Sequence, residues 1–123
     1  WAKHTGEFDF DLTFNFTYQY GDPAIGVARH YLSTNIIKGS PFVNNQGYSN
    51  PAVDGLLTKG ASSIDPVRRQ QLYSEAQNIL VNEVANGFLF EIEYPTFYRN
   101  NVKNLVTTAI GLNESFDNVW IAK

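Results

Sequence analysis

Three times in this chain an Asp or Asn stands directly before a proline, at Asp22-Pro23, Asn50-Pro51 and Asp65-Pro66. Each pair carries two helix-start signals. Pro suits the first helical position, where its missing N–H is no loss and its fixed φ is already helical. The preceding Asp or Asn side chain can accept hydrogen bonds from the free N–H groups of the first turn. The third start has the clearest continuation. Leu72, Ala76, Ile79, Leu80 and Val84 recur at helical spacing, and Arg68, Arg69, Gln70, Glu75 and Asn78 take the opposite face. That pattern predicts an amphipathic helix from Pro66 to a stop at Asn86-Gly87. The second start predicts a short helix over 51–59, and the first a helix through Ala24, Val27, Ala28 and Tyr31. The opening WAKHTGE predicts the last turn of a helix, with Gly6 as its stop.

A second pattern competes with the helices. Phe8, Phe10, Leu12, Phe14, Phe16, Tyr18 and Tyr20 share one parity, while Asp9, Asp11, Thr13, Asn15, Thr17 and Gln19 share the other. Such alternation predicts a β-strand with one dry and one wet face. The run is longer than an ordinary strand of about 5–6 residues. We therefore expect 8–14 to be strand, its aromatics packed inward, and 16–20 to leave the sheet. FLFEIE at 88–93 alternates likewise and predicts a strand, 96–106 reads as extended, and the tail carries the apolar run Val119-Trp120-Ile121. Residues 33–49, rich in Ser, Asn and Gly, read as a long loop, and loops of that length are often functional.

Composition narrows the function. A length of 123 residues suits one domain or part of one. The net charge of −3, with no run of Lys or Arg, argues against nucleic acid and anionic membrane surfaces as partners. No apolar stretch approaches the ~20 residues of a membrane span, and no signal peptide is evident. The absence of cysteine removes disulfides, thiolate metal sites and thiol nucleophiles, and leaves the compartment open. The chain also lacks methionine, so Trp1 is not an untouched translation start and the chain is expected to be a piece of something longer.

No catalytic set emerges. His4 and His30 stand 26 positions apart with no carboxylate or cysteine at ligand spacing, so no metal site is expected. Asp9 with Asp11, and Glu91 with Glu93, fit the wet faces of strands better than acid/base pairs. Ser40, Ser49, Ser62 and Ser63 have no nucleophile-elbow context, and no Gly-rich phosphate loop occurs. Asn15-Phe16-Thr17 and Asn113-Glu114-Ser115 match the glycosylation triplet, which is common by chance. The expectation is a non-enzyme without cofactor. What remains is aromatic density beside a Gly-Asp-Pro turn and a polar loop, a suitable lining for a small polar ligand. For Phe16 to Tyr20, packing and ligand contact stay open as alternatives.

The order of motifs carries a resemblance. F-D-F-D-L is followed by Y-G-D-P at 20–23, G-Y-S-N-P-A-V-D at 47–54 and D-P-V-R-R-Q-Q-L-Y-S-E-A-Q-N-I-L at 65–80. Then come P-T-F-Y-R at 95–99, V-K-N-L-V at 102–106 and F-D-N-V-W at 116–120. The series resembles the C-terminal end of the family 5 extracellular solute-binding proteins, the dipeptide, oligopeptide and nickel-type receptors of ABC importers, along essentially the whole chain. The resemblance implies an α/β fold: part of the C-terminal lobe of a two-lobed (type II) periplasmic binding protein, a mixed sheet with flanking helices. Residues 1–107 would belong to the second lobe and 108–123 to a return segment toward the first. It further implies a receptor that is periplasmic, or a cell-surface lipoprotein, and that closes on a small solute such as a peptide, sugar or opine-like compound for delivery to permease subunits in the membrane. Hinge closure needs both lobes, so the chain alone is not expected to act as a receptor.

The implied ligand contacts are Phe16, Thr17, Tyr18, Gln19 and Tyr20, with Tyr48 from the long loop. In the peptide receptors an aromatic residue precedes, by three positions, an Asp that pairs with the peptide amino group. Those positions fall on Phe16 and Gln19. An amide accepts a hydrogen bond from an ammonium but supplies no ion pair, and charge-assisted bonds are roughly twice as strong as neutral ones. The departure favours a neutral or differently charged solute. Asp22 reads as part of the turn, and Arg68, Arg69, Glu75 and Gln77 as fold and surface. A reading of another class is a stand-alone α/β interaction module that oligomerises through an exposed strand, because an unpaired alternating strand is an edge in search of a partner.

Overall fold

The second and third Asx-Pro pairs open the two long helices of the molecule. In the computed structural model, which describes residues 1–16, 21–92, 95–108 and 111–123, α3 runs Pro51–Ser62 and α4 runs Pro66–Asn82. The Asn50 side chain accepts from Ala52 N at 2.9 Å and Val53 N at 3.4 Å, and Asp65 accepts from Val67 N at 3.0 Å. Each cap satisfies first-turn donors that the helix itself cannot. Before them come the short helices α1 (Ala2–Gly6) and α2 (Ala28–Tyr31). After them, β1 (Val102–Lys103) pairs antiparallel with β2 (Trp120–Ile121), Val102 opposite Ile121 and Lys103 opposite Trp120. The chain divides into two units, Trp1–Phe88 and Leu89–Lys123.

The first unit holds the core. Val53 and Leu57 of α3 and Leu72, Ala76 and Leu80 of α4 are buried, joined by Ala28 and Tyr31 of α2. Each fully buried aliphatic side chain contributes roughly 1.5–3 kcal/mol. Gly60 of α3 lies close under the Tyr73 ring of α4: a Cβ there would meet that ring at 2.9 Å. The long polar loop is held from within. Asn44, fully buried, donates to the carbonyls of Leu32 (3.0 Å) and Tyr48 (2.7 Å) and accepts from Tyr48 N (3.0 Å). Asn45 donates to Ser40 O at 2.8 Å. The Asp54 carboxylate, on the first turn of α3, accepts from Ser33 N at 2.8 Å and from its hydroxyl at 2.5 Å.

Several sequence expectations are corrected. The α4 helix ends at Asn82, four residues before the Asn86-Gly87 stop. Val84, on the expected apolar face, adopts φ 50° and is 72% exposed. Its N–H bonds Val81 O, and Ala85 N–H bonds Leu80 O, the paired bonds of a Schellman terminus with Val84 in the left-handed position. The same motif closes α1: Phe8 takes φ 59°, its N–H bonds Thr5 O, and Asp9 N–H bonds His4 O. Gly6 is therefore not the left-handed stop. It lets the backbone approach Gly39, whose N–H bonds Gly6 O at 2.8 Å.

The strand expected over 8–14 is absent, and its apolar residues form no buried face: Leu12 and Phe14 are exposed while Phe8 and Phe10 are only partly covered. Its first residue is consumed by the helix terminus, and among the described residues no second strand pairs with the rest. Alternation specifies which face of a sheet is dry, but a ladder needs a neighbour. The same reason applies to FLFEIE, whose described residues 88–92 form no strand. Of the extended stretch 96–106, only Val102–Lys103 is strand. After Asp22-Pro23 the chain makes turns, and regular helix begins at Ala28. The helix expected over 51–59 runs on to Ser62.

Candidate functional site

Of the six ligand contacts implied by the sequence, Thr17, Tyr18, Gln19 and Tyr20 lie outside the described residues. The other two, and the turn between them, are described. Phe16 is 47% exposed, and its N–H bonds the Asn15 side-chain oxygen at 2.8 Å. The Asn15 amide in turn donates to Pro41 O at 3.4 Å, which ties this segment to the long loop.

Trp1 and Phe42 form an aromatic pair in the same unit. Trp1 Nε1 donates to Thr13 Oγ1 at 3.1 Å and to Phe14 O at 3.0 Å, which fixes the indole. The ring of Phe42 lies 5.5 Å from it, tilted by 46°. Trp1, Phe14 and Phe42 keep half or more of their surface, or nearly so, open to solvent. Fixed aromatic faces rimmed by amide and hydroxyl groups can stack on the apolar face of a polar molecule. Sequence reading did not single out Trp1 or Phe42. The signal available was their aromatic type beside Asn and Ser, which many surface residues share.

Tyr48 occupies a different place. Its ring meets Tyr31 edge-on at 6.2 Å, and its hydroxyl donates to Glu83 Oε2 at 2.5 Å. The Asn50 amide also donates to Glu83, at 2.9 and 3.1 Å. Burial first, and then the Glu83 carboxylate, push the Tyr48 phenol up to about 12. The Tyr48 and Asn50 hydrogen bonds lower the Glu83 pKa. The N-cap of α3 is thus tied directly to the C-cap of α4 by the Asn50–Glu83 hydrogen bonds, and the Tyr48 hydroxyl is engaged by the same carboxylate.

Asp22 is likewise committed. Arg69 Nη2 reaches its two carboxylate oxygens at 2.7 and 2.9 Å, and Ala24 N–H donates to it at 2.8 Å. The Arg69 contact, then the Ala24 N–H, hold the Asp22 carboxyl below its ordinary value. Arg69 also donates through Nε to Gly60 O at 3.0 Å and lies 5.2 Å over the Tyr73 ring. It therefore pins the Gly-Asp-Pro turn to both long helices. The sequence reading of Asp22 as turn and Arg69 as fold agrees with this geometry. Among buried groups, His30 is lowered by desolvation and by the neighbouring Arg29 charge.

The second unit carries two open concavities. One, of about 420 Å³, is lined by Phe97, Tyr98, Val102 and Lys103. The other, of about 530 Å³, includes Glu114, whose carboxylate already accepts from Thr107 N and Thr107 Oγ1 (3.2 Å). Neither contains a residue implied by the sequence. Among the described residues no group of three or more His, Asp or Glu side chains is placed to hold a metal ion, and no helix is long and apolar enough to cross a membrane.

Comparison with known proteins gives two relatives. Over 102 residues, 82% of this chain and 19% of the other, the chain is 29% identical to "Probable D,D-dipeptide-binding periplasmic protein DdpA" of Escherichia coli (strain K12). Over 74 residues, 60% of this chain and 13% of the other, it is 38% identical to "Protein XP55" of Streptomyces lividans. The chain spans a fifth or less of the length of these relatives. No family model and no solved structure matches it. The first relative is by its name a periplasmic binding protein, which agrees at that level with the resemblance to solute-binding receptors.

Proposed function

We propose that this chain is a C-terminal portion of the solute-binding component of an ABC importer. In this reading it is part of the second lobe of a two-lobed periplasmic receptor, residues 1–107 in that lobe and 108–123 returning toward the first. It has no catalytic role and needs no cofactor. The observation that carries the reading is the likeness to a dipeptide-binding periplasmic protein along 82% of the chain. The placement of Asp22 and Arg69 supports it, because the turn after the implied wall is fixed rigidly to α3 and α4.

The wall comprises Phe16, Thr17, Tyr18, Gln19 and Tyr20. Tyr48, from the long loop, is the sixth implied contact, and its hydroxyl is bonded to Glu83. Gln19 in place of a carboxylate argues against a free peptide amino group and for a neutral polar solute, such as a sugar, an opine-like compound or a modified peptide. A desolvated ammonium needs a charged partner, and an amide is not one. Native mass spectrometry of the intact receptor from its host identifies the co-purifying solute. Calorimetric titration of that solute into Gln19→Ala then reads the wall. The expected result is a weakening of about tenfold or more, equivalent to ~1.4 kcal/mol. Unchanged affinity would remove Gln19 from the site.

A further inference from the structure

The short helix α2 is held by the long loop that follows it. A helix end leaves its last carbonyls without intrahelical partners. Here Arg29 O accepts from the Asn35 side chain at 3.2 Å, His30 O from Gln46 at 2.6 Å, and Leu32 O from Asn44 at 3.0 Å. Side-chain amides thus wrap the loop over 33–49 onto the end of α2.

His30 stands among these contacts, 5% exposed. Arg29 Nε donates to its Nε2 at 3.2 Å. A guanidinium accepts nothing, so Nε2 presents a lone pair, and the ring is neutral with its proton on Nδ1. A second proton turns Nε2 into a donor facing the Arg29 N–H. It also sets an imidazolium beside a guanidinium where little water reaches to screen them. The elements packed around α2 bring few groups to offset this. The α3 helix carries Asp54, whose oxygens accept from Ser33, and Lys59. The loop carries Lys38, paired with Glu7 at 3.0 Å, and Tyr48, bonded to Glu83. Residues 33–35 have no titratable side chain, and α4 brings Ala76 and Leu80 to the shared core. Burial, then the Arg29 charge, lower the His30 pKa, and the opposing influence of the Val43 backbone ranks last. Among the described residues, no carboxylate counters the Arg29 charge at the ring.

We propose that His30 is an acid-sensitive latch: when its ring takes a proton from solvent it gives up the Arg29 contact and its interior place, and the loop over 33–49 comes off the end of α2 while α3 and α4 stay packed. The sign follows from linkage. A base kept neutral by the closed fold binds its proton more readily once the loop is open. The closed form therefore loses stability as pH falls below the ordinary histidine value of about 6.5, and opening grows about tenfold per pH unit until the lower closed-state value is reached. The latch is interior to the first unit, so it does not depend on what lies against the outer faces of the chain. It is also independent of the receptor reading.

NMR of the 123-residue chain tests both halves of the proposal. His4 and His30 are the only histidines, so His4→Gln assigns the two ring signals. The expected result is a His30 ring that titrates below the ordinary histidine range. Amide protection over 33–49, corrected for the intrinsic pH dependence of exchange, should fall about tenfold per pH unit across the same interval, with α3 and α4 more strongly protected throughout. His30→Gln, which carries no titrating ring, should abolish that slope. Arg29→Gln should raise the His30 midpoint, and it keeps the test decisive if His30→Gln does not fold. A His30 midpoint at or above the ordinary value, loop amides that exchange only together with α3 and α4, an unchanged acid slope in His30→Gln, or an unmoved midpoint in Arg29→Gln would each overturn the proposal.

Discussion

The two units of this chain are built from similar apolar content and use it in opposite ways. In Trp1–Phe88, Val53, Leu57, Leu72, Ala76 and Leu80 from two helices close on one another. In Leu89–Lys123 no described residue is buried, and Leu89, Phe90, Phe97, Trp120 and Ile121 are more than half exposed. The difference lies in where each kind of element finds its partners. A helix satisfies its own backbone, so an amphipathic pair with good caps needs only one neighbour to bury its stripe. A strand satisfies nothing alone, and its dry face stays wet until a sheet supplies neighbours.

Core substitutions break this comparison most directly. Leu57→Ala should cost the first unit roughly 2–5 kcal/mol in denaturant unfolding, because a fully packed side chain leaves a cavity. Trp120→Ala, at 54% exposure in the second unit, should change stability by no more than about 0.5 kcal/mol. Equal costs would show that the second unit has a core after all. Next in size is Asn44→Ala. It leaves the Leu32 and Tyr48 carbonyls and the Tyr48 N–H without their partner, a loss of about 2 kcal/mol. Hydrogen exchange should localise the loss to the loop over 33–49, and uniform loss through α3 and α4 would contradict it.

What was legible in the sequence divides along the same line. The caps at Asn50 and Asp65 and the stripe Leu72, Ala76, Leu80 were readable because they are local. The Schellman termini were not, since nothing in Phe8 or Val84 advertises a left-handed backbone. The strands over 8–14 and 88–92 were misread because alternation describes a face and says nothing of whether a neighbour exists. Asn44 was one polar residue among many in the loop, and only burial distinguishes it. Of the implied ligand wall, Phe16 is about half exposed, Thr17 to Tyr20 lie outside the described residues, and Tyr48 is engaged by Glu83.

A smaller effect of opposite sign sharpens the helical side. Val84 is β-branched at φ 50° and 72% exposed. A left-handed residue of this kind costs roughly 1–2 kcal/mol, part of which glycine returns as chain entropy. Val84→Gly should therefore stabilise the first unit by about 0.5–1 kcal/mol in denaturant unfolding. Phe8→Gly relieves the same strain at α1 but gives up a ring that is nearly two-thirds covered, so its gain should be smaller or reversed. A loss of stability in Val84→Gly would mean that Val84 carries no net left-handed strain in this terminus.

The smallest effect is expected in acid, and it separates long-range from local electrostatics. Arg69, then Ala24 N–H, lower the Asp22 pKa in the folded state. A carboxylate so depressed contributes stability above its unfolded pKa, and loses it as pH falls through the lower folded value. The melting temperature of Asp22→Asn should therefore lie below that of the parent at neutral pH, and the gap should close on acidification beneath the ordinary aspartate range. Arg69 joins the turn to α3 and α4, so this change should be felt throughout the helical unit. Glu114 is depressed as well, by Thr108 and then Thr107, seven or fewer residues away in sequence. Glu114→Gln should leave the acid limb of the helical unit's melting where it was, because a local clasp in the second unit carries no load for α3 and α4. A gap in Asp22→Asn that widens in acid would reverse the sign of the Asp22–Arg69 contribution, and with it the claim that this turn is held to the helices by charge.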